Sequence, residues 1–491
     1  MRTKLLMPMF KNWFPLSKKR NKLKKAYLFL TVVVFSSHGV LLAQGNYRLE
    51  NFGNKSILLN GNVTGTVSDL GLSYYNPARL GLVDNPSFAI SAKAFELSNI
   101  KLENTFGNSE RVKNSNFNGI PTMVAGTFEI KNFPKDKFAY SFISRYRNRY
   151  DINYSSGLVN GDFINGSDGN EDVLSRANIN TDLREEWIGL TWAKPIKRNF
   201  SVGASLFLSI YNYSGSSNVN FAAKNEQDNV LLYDNTIGYE QKTYGLFLKL
   251  AAAWKSDDIE LGFNFNLPHL KLLGNGGFSG EEILSGTNND IFNLAEFGNL
   301  DSKRRTALGA SLGAGFNLNK NKIHANIEWY NGVEEYERLD ISTLDLNAFT
   351  NQDFNFNESL KPVVNFGVGA EIYLNDIWKA YSSFSTDYSA YKNQTTVFNL
   401  ISSINEEADT RTNYWHYGLG LSANLSWASF VSGAILSTTS AEFANPIDFP
   451  SGELEAVENE ISKLSLNRWR FIIGVEIPLF VEKIEKTLGG L

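Results

Sequence analysis

The chain of 491 residues contains no cysteine and only four histidines. Disulfide frameworks, thiolate metal sites and cysteine nucleophiles are thereby excluded, and no cofactor or metal is expected. Long apolar runs are also lacking. Past residue 45, nowhere do about 20 apolar residues follow one another, which rules out a bundle of membrane-spanning helices. Proline is sparse, with 12 residues against 39 glycines, and aromatics reach 13%; that balance suits many strands joined by turns. Composition shifts little along the chain, so one large domain is expected rather than several small ones.

Acidic residues are missing from the first 43 positions, which carry nine bases: Arg2, Lys4, Lys11, Lys18, Lys19, Arg20, Lys22, Lys24 and Lys25. This charged region runs into an apolar stretch, 26–43, that ends Leu41-Leu42-Ala43 before Gln44. A small residue at that last position suits signal peptidase, so residues 1–43 read as a signal peptide. The alternative is an uncleaved anchor helix, but Ser36, Ser37, His38 and Gly39 interrupt the apolar run it would need. No cysteine follows the cut, so the protein is no lipoprotein. Loss of the nine bases takes the net charge from −4 to −13. An acidic surface repels phosphates, which argues against a nucleic-acid partner.

What the chain does have is period two. In a strand successive side chains face opposite sides, and a transmembrane barrel strand alternates lipid-facing apolar groups with small or polar lumen groups. In 415–427, Trp415, Tyr417, Leu419, Leu421, Ala423, Leu425 and Trp427 share one face, opposed by His416, Gly418, Gly420, Ser422, Asn424 and Ser426. The two tryptophans are separated by roughly 28 Å along the membrane normal for a strand tilted near 45°, close to a bilayer core bracketed by aromatics. The last strand repeats the pattern, with Trp469, Phe471, Ile473, Val475, Ile477 and Leu479 against Arg468, Arg470, Gly474 and Glu476. In 306–318 the glycines again oppose the apolar face.

Alternating segments fall near 86–98, 121–130, 137–154, 183–194, 199–213, 241–254, 258–267, 303–318, 321–331, 361–374, 378–392, 412–427, 429–439 and 466–480. The expected fold is therefore all-β, an antiparallel transmembrane barrel of about 14 strands over 86–480, with a C-terminal periplasmic tail at 481–491. A soluble sandwich or propeller also alternates. It has no reason, however, to alternate short connections (131–136, 195–198, 255–257, 319–320, 375–377 and a tight one near Ala428) with long ones (99–120, 155–182, 214–240, 268–302, 332–360, 393–411 and 440–465). Short periplasmic turns and long external loops produce that order.

Residues 44–85 precede the first strand and lack a long alternating run, so they are expected inside the barrel as a hatch, or plug. The run Ser73-Tyr74-Tyr75-Asn76-Pro77-Ala78-Arg79-Leu80-Gly81 has Asn before Pro, a turn signal, and Pro77 can open a short helical turn. Here the sequence resembles the FadL-type family of outer-membrane transport proteins. Val67-Ser68-Asp69 followed by Tyr75-Asn76-Pro77-Ala78 and Leu80 is similar to that family's N-terminal hatch, and a plug of about forty residues before about fourteen strands matches its architecture. The resemblance implies a location in the cell outer membrane and passive uptake of hydrophobic small molecules such as long-chain fatty acids. It further implies a lumen closed by the hatch and a lateral exit through the wall, with Asn76, Pro77 and Ala78 as hatch or gating residues. Strand kinks or bulges would mark such an exit, and Pro121 and Pro134 are the sequence candidates. Outer-membrane lipids and a hydrophobic small molecule are then the expected partners. The family also has a branch resembling the type IX secretion shuttle protein, so a protein-binding barrel holding a secreted or outer-membrane protein is the alternative.

Enzymatic function is not expected. Gly309-Ala310-Ser311-Leu312-Gly313 has the letters of a nucleophile elbow, yet Ser311 sits mid-strand rather than on a strand-to-helix turn. His269 falls in a loop, while His324 and His416 fall on polar strand faces, with no spacing that selects a catalytic group. The run Asn165-Gly166-Ser167-Asp168-Gly169-Asn170-Glu171-Asp172 has oxygen ligands at close spacing without the full calcium-loop pattern, and reads as a solvated acidic turn.

Overall fold

The computed structural model describes residues 46–83, 87–103, 113–116, 120–161, 169–286, 290–341, 356–391, 412–443 and 462–478. The expected signal peptide, the tail at 481–491 and residues 165–168 of the acidic run lie outside the described residues. Fourteen antiparallel strands form the wall. They are β1 (Ser87–Glu103), β2 (Ile120–Phe128, preceded by Lys113–Asn116 on the same ladder), β3 (Lys137–Gly161), β4 (Glu171–Lys197), β5 (Phe200–Lys224), β6 (Val230–Lys255) and β7 (Ile259–Asn266 and Leu270–Ser285). The rest are β8 (Ile291–Leu300 and Gly309–Leu318), β9 (Asn321–Tyr330), β10 (Val363–Tyr373), β11 (Trp378–Asp387), β12 (Tyr414–Asn424), β13 (Ser429–Phe443) and β14 (Ser462–Pro478). Each pairs with its neighbours in sequence, and β1 pairs with β14 from Ser87↔Pro478 to Glu103↔Lys463, so the sheet closes without an edge.

The faces sort as the alternation requires. Leu419 is 65% exposed on the outside while its neighbours Gly418 and Gly420 face the inner segment, and Trp469, Phe471 and Ile473 are exposed while Arg468 and Arg470 are buried. At the short-turn end the strand limits fall within three residues of those read from the pattern. Asn319 takes a positive φ of 61° in the two-residue turn between β8 and β9, a conformation asparagine tolerates.

At the other end the sequence reading needs correction. Stretches expected as the loops 155–182, 214–240 and 268–302 are largely strand, so that β3 to β6 run 25, 27, 25 and 26 residues. Such strands rise roughly 60 Å, about twice a hydrocarbon core. Their distal halves turn apolar residues such as Val173, Ile179, Val219 and Ile237 inward and set many polar ones among the rest, and so lack the outward apolar stripe that marks a membrane strand. Asn218, for example, donates to Asp234 at 3.1 Å and to Thr236 at 2.6 Å across the ladder.

An arginine placed at the centre of the outer band should cost about 2–4 kcal/mol. Leu419→Arg is therefore expected to lower folding stability by that amount in a urea titration in lipid vesicles. Leu425→Arg, at the turn end, should lower it by roughly 0–1 kcal/mol.

Candidate functional site

Residues 46–83 contain two one-turn helices, α1 (Lys55–Leu58) and α2 (Leu72–Tyr75), and a 3-10 turn, Pro77–Leu82. The segment ties itself together. Asp69, the acid of the hatch-like motif, accepts from the Ser56 backbone N–H and hydroxyl, both at 2.8 Å, and from Gly71 N–H at 3.0 Å. The Tyr75 hydroxyl donates to Asn51 at 3.1 Å and accepts from Phe52 N–H at 3.0 Å.

It is then fastened to strands all round the ring. Ser383 of β11 donates to Leu58 O at 2.8 Å, and Asn62 donates to Val368 O of β10 and Phe384 O of β11. Thr66 meets His324 of β9 at 2.7 Å, and Arg79 pairs with Glu260 of β7 at 2.7 Å. The segment therefore lies in the lumen. Glycines on the inner wall make room for it. A Cβ at Gly262 would stand 2.1 Å from Thr64 O, one at Gly203 2.7 Å from Ala78 N, and Gly65 and Gly313 exclude each other's side chains.

Asn76, Pro77 and Ala78 are brought together in this seat. Asn76 caps the 3-10 turn, its Oδ1 accepting from Ala78 N–H at 3.1 Å with Pro77 in the first position. Its Nδ2 donates inward to Thr64 O at 2.7 Å and outward to Ala252 O of β6 at 3.2 Å. One buried amide thus joins the turn, the segment's middle and the wall.

Residues 46–50 are held by charge. Arg48 pairs with Glu328 of β9 at 3.0 Å and gives its N–H to Asp387 of β11. Glu50 meets Lys93 of β1 at 3.1 Å and Arg468 and Arg470 of β14 at 2.8 and 3.2 Å. Ser437, His416 and Asp387 lie together here, with Ser437 Oγ 2.7 Å from His416 Nδ1 and Asp387 Oδ2 3.6 Å from Nε2. Those are the residue types of a hydrolase, but all three are fully buried and Arg470 also donates to Ser437. The group anchors the segment's start.

A polar cavity of about 20 Å³ opens beside this start, lined by Tyr47, Glu50, Tyr74, Lys249, Ser311 and Glu328 among others. That is room for about one water. Two cations stand at its edge. Lys249 Nζ lies 3.9 Å over the Tyr74 ring and donates to Asn266, and Arg145 lies 5.4 Å over the same ring and donates to Tyr47 O. Among the described residues, neither has a carboxylate within ion-pair distance. Behind Tyr74 the rings of Trp187, Phe207 and Phe247 pack at 4.5–5.8 Å.

Nothing in the alternation of 137–154 singles out Arg145 as an inward residue. It is the extra residue of a β-bulge, since Ser144 pairs with Glu186 and Tyr146 with Glu185. The bulge turns a side chain that strict alternation would send elsewhere. Thr122 in β2 and Ala94 in β1 are extra residues of bulges too. Among the described residues the β2–β3 ladder runs from Phe128↔Phe138 only to Met123↔Ile143, and the rest of β3 pairs with β4 alone. Pro121 sits at the end of that ladder, whereas Pro134 lies in the short turn below. No periodicity reveals such a break; only the proline hints at it.

These features define a class: a closed 14-strand transmembrane-type barrel whose lumen holds a folded N-terminal segment. Solved structures share it. A Pseudomonas aeruginosa FadL homologue superposes with a TM-score of 0.55 at 11% identity over 88% of this chain and 100% of that one. The Pseudomonas putida toluene transporter TodX gives 0.51 at 12% identity, over 88% and 99%. At such identities the likeness is one of fold. No family model and no curated protein sequence matches the chain.

Gly262→Ala should dislodge the segment, because backbone rather than a flexible side chain meets the new Cβ. Overpacking of this kind costs about 1–3 kcal/mol. The expected result is faster protease cleavage within residues 46–83 in a barrel that still shows heat-modifiable electrophoretic mobility.

Proposed function

We propose that this protein is an outer-membrane channel for passive uptake of hydrophobic small molecules. In this reading residues 46–83 act as the hatch, Asn76, Pro77 and Ala78 hold it shut, and ligand leaves sideways above Met123. The observation that carries the reading is the coincidence of a filled lumen with a wall whose β2–β3 ladder stops beside the aromatic cluster and the Tyr74 cations. Among the described residues β3 beyond Ile143 has no ladder on its β2 side, which is costly where lipid faces a wall, so its place next to the rings of Trp187, Phe207 and Phe247 supports lateral passage. The cavity is too small for such a ligand, so passage requires the hatch to shift.

Lys249 and Arg145 favour one class of compound. A buried cation without a carboxylate is stabilised by an anion delivered from outside, and the rings behind it suit an apolar tail. Long-chain fatty acids and other anionic amphiphiles fit this better than neutral hydrocarbons, although the name of the TodX neighbour specifies toluene for that protein. The distal halves of β3 to β6 offer a broad polar surface instead to a protein partner.

Deleting residues 46–80 should change both uptake and binding of oleate by the purified mature protein; unchanged values would end the gated model. Lys249→Met should weaken oleate about tenfold, as expected for loss of one charge-assisted contact, and leave its methyl ester unaffected in a tryptophan-quenching titration. Mass spectrometry that finds a stoichiometric protein and no bound lipid would favour the protein-binding alternative.

A further inference from the structure

Toward the long-loop end the lumen holds a second folded element besides residues 46–83. Between its two pieces β8 leaves the wall for residues 301–308 and folds onto the lumen face of β6 and β7. There it meets a small hairpin, Val333–Glu337 with Asn357–Leu360. Lys303 N–H donates to Arg338 O at 2.7 Å, Asp340 N–H to Asp301 O at 3.1 Å and Arg338 N–H to Phe356 O at 2.8 Å, with Ser302 bridging Leu339. The excursion of β8 and the hairpin from the β9–β10 connection thus form one plate on the lumen face of β4 to β7.

The plate is held in two ways. Arg304 makes a two-pronged pair with the fully buried Glu185 of β4 and stacks 4.3 Å over Tyr211, while Glu185 also accepts from Trp187 and Ser209, each at 2.7 Å. Beside it Ser302 donates to Lys242 O at 2.7 Å and lies 3.1 Å from the Thr243 hydroxyl, and Gln241 donates to Lys303 O at 2.7 Å. Burial acts to discharge Arg338, and the Glu358 carboxylate facing it more than offsets this, raising its pKa above the ordinary value. The second hold is apolar. Leu339, Ile341 and Phe356 fill a greasy recess made by Ile237 and Phe278, flanked by Tyr239, Phe297 and Leu300.

We infer that this plate is an outer gate, latched by Arg304 on Glu185 and displaced when an apolar ligand takes the recess that Leu339, Ile341 and Phe356 occupy. The inference rests on the uptake reading for its ligand and on geometry alone for its closure. Release of the latch frees the path to Trp187 and the Tyr74 cations. Because Glu185 holds both Arg304 and the Trp187 indole that packs against Tyr74, the gate and the hatch share one carboxylate.

The chain has no native thiol, so two introduced cysteines can pair only with each other. Thr243→Cys/Ser302→Cys places them where hydroxyls are 3.1 Å apart. In mature protein in vesicles, the oxidised form should take up oleate about tenfold more slowly than the same protein after dithiothreitol; equal rates would overturn the gate. Separately, a membrane-impermeant maleimide added outside should label Ser311→Cys about tenfold faster when Arg304→Ala is added. Glu185→Gln replaces that variant if it does not fold, and equal labelling would overturn the latch. If the wild type takes up no oleate, the uptake reading fails while the labelling still decides the closure.

Discussion

Three cations, Lys93, Arg468 and Arg470, face inward across the seam where the first strand meets the last. Left alone they would repel one another in a region poor in water. Glu50 answers all three, with Glu96 sharing Lys93 and Arg468. A carboxylate carried by the N-terminal segment thus sits at the joint that closes the barrel. Breaking a buried pair of this kind typically costs about 3–5 kcal/mol, because the partner stays behind uncompensated. Seating of the inner segment therefore steadies the closed wall, and the lumen's other charges follow the same logic: Arg48 for Glu328, Arg79 for Glu260.

That coupling explains a feature of composition. The lumen face is rich in glycine because it must receive backbone, not ligand, over much of its area. Thr64, Gly65 and Ala78 press against strands at Gly262, Gly313 and Gly203. Side chains there would have given a wider choice of hydrogen bonds but no room for the segment.

Much of this was legible beforehand. Alternation in 415–427 and 466–480 assigned the faces, and the order of short and long connections gave fourteen strands. The Asn-Pro-Ala turn could be located, although its two-way amide bridge to Thr64 and Ala252 depends on tertiary contacts. What stayed hidden has physical causes. The distal strands carry no outward apolar stripe, and polar residues interrupt their apolar ones, so 214–240 reads as loop. A bulge adds one residue and leaves composition unchanged, so the inward turn of Arg145 had no signature. The departure of 301–308 from the wall falls partly within the segment 303–318 expected as one strand, where no change of pattern marks it.

The unequal ends of the strands have a further consequence. Turns of two to a few residues close one end, whereas at the other β3 to β6 carry some 25 residues each, their outer halves bristling with amides and carboxylates. Compact turns can be pushed through hydrocarbon, but the long polar ends cannot, since each ionised group would have to be stripped of water. A folded barrel therefore cannot turn over in the bilayer, and it keeps its sidedness for as long as it stays folded.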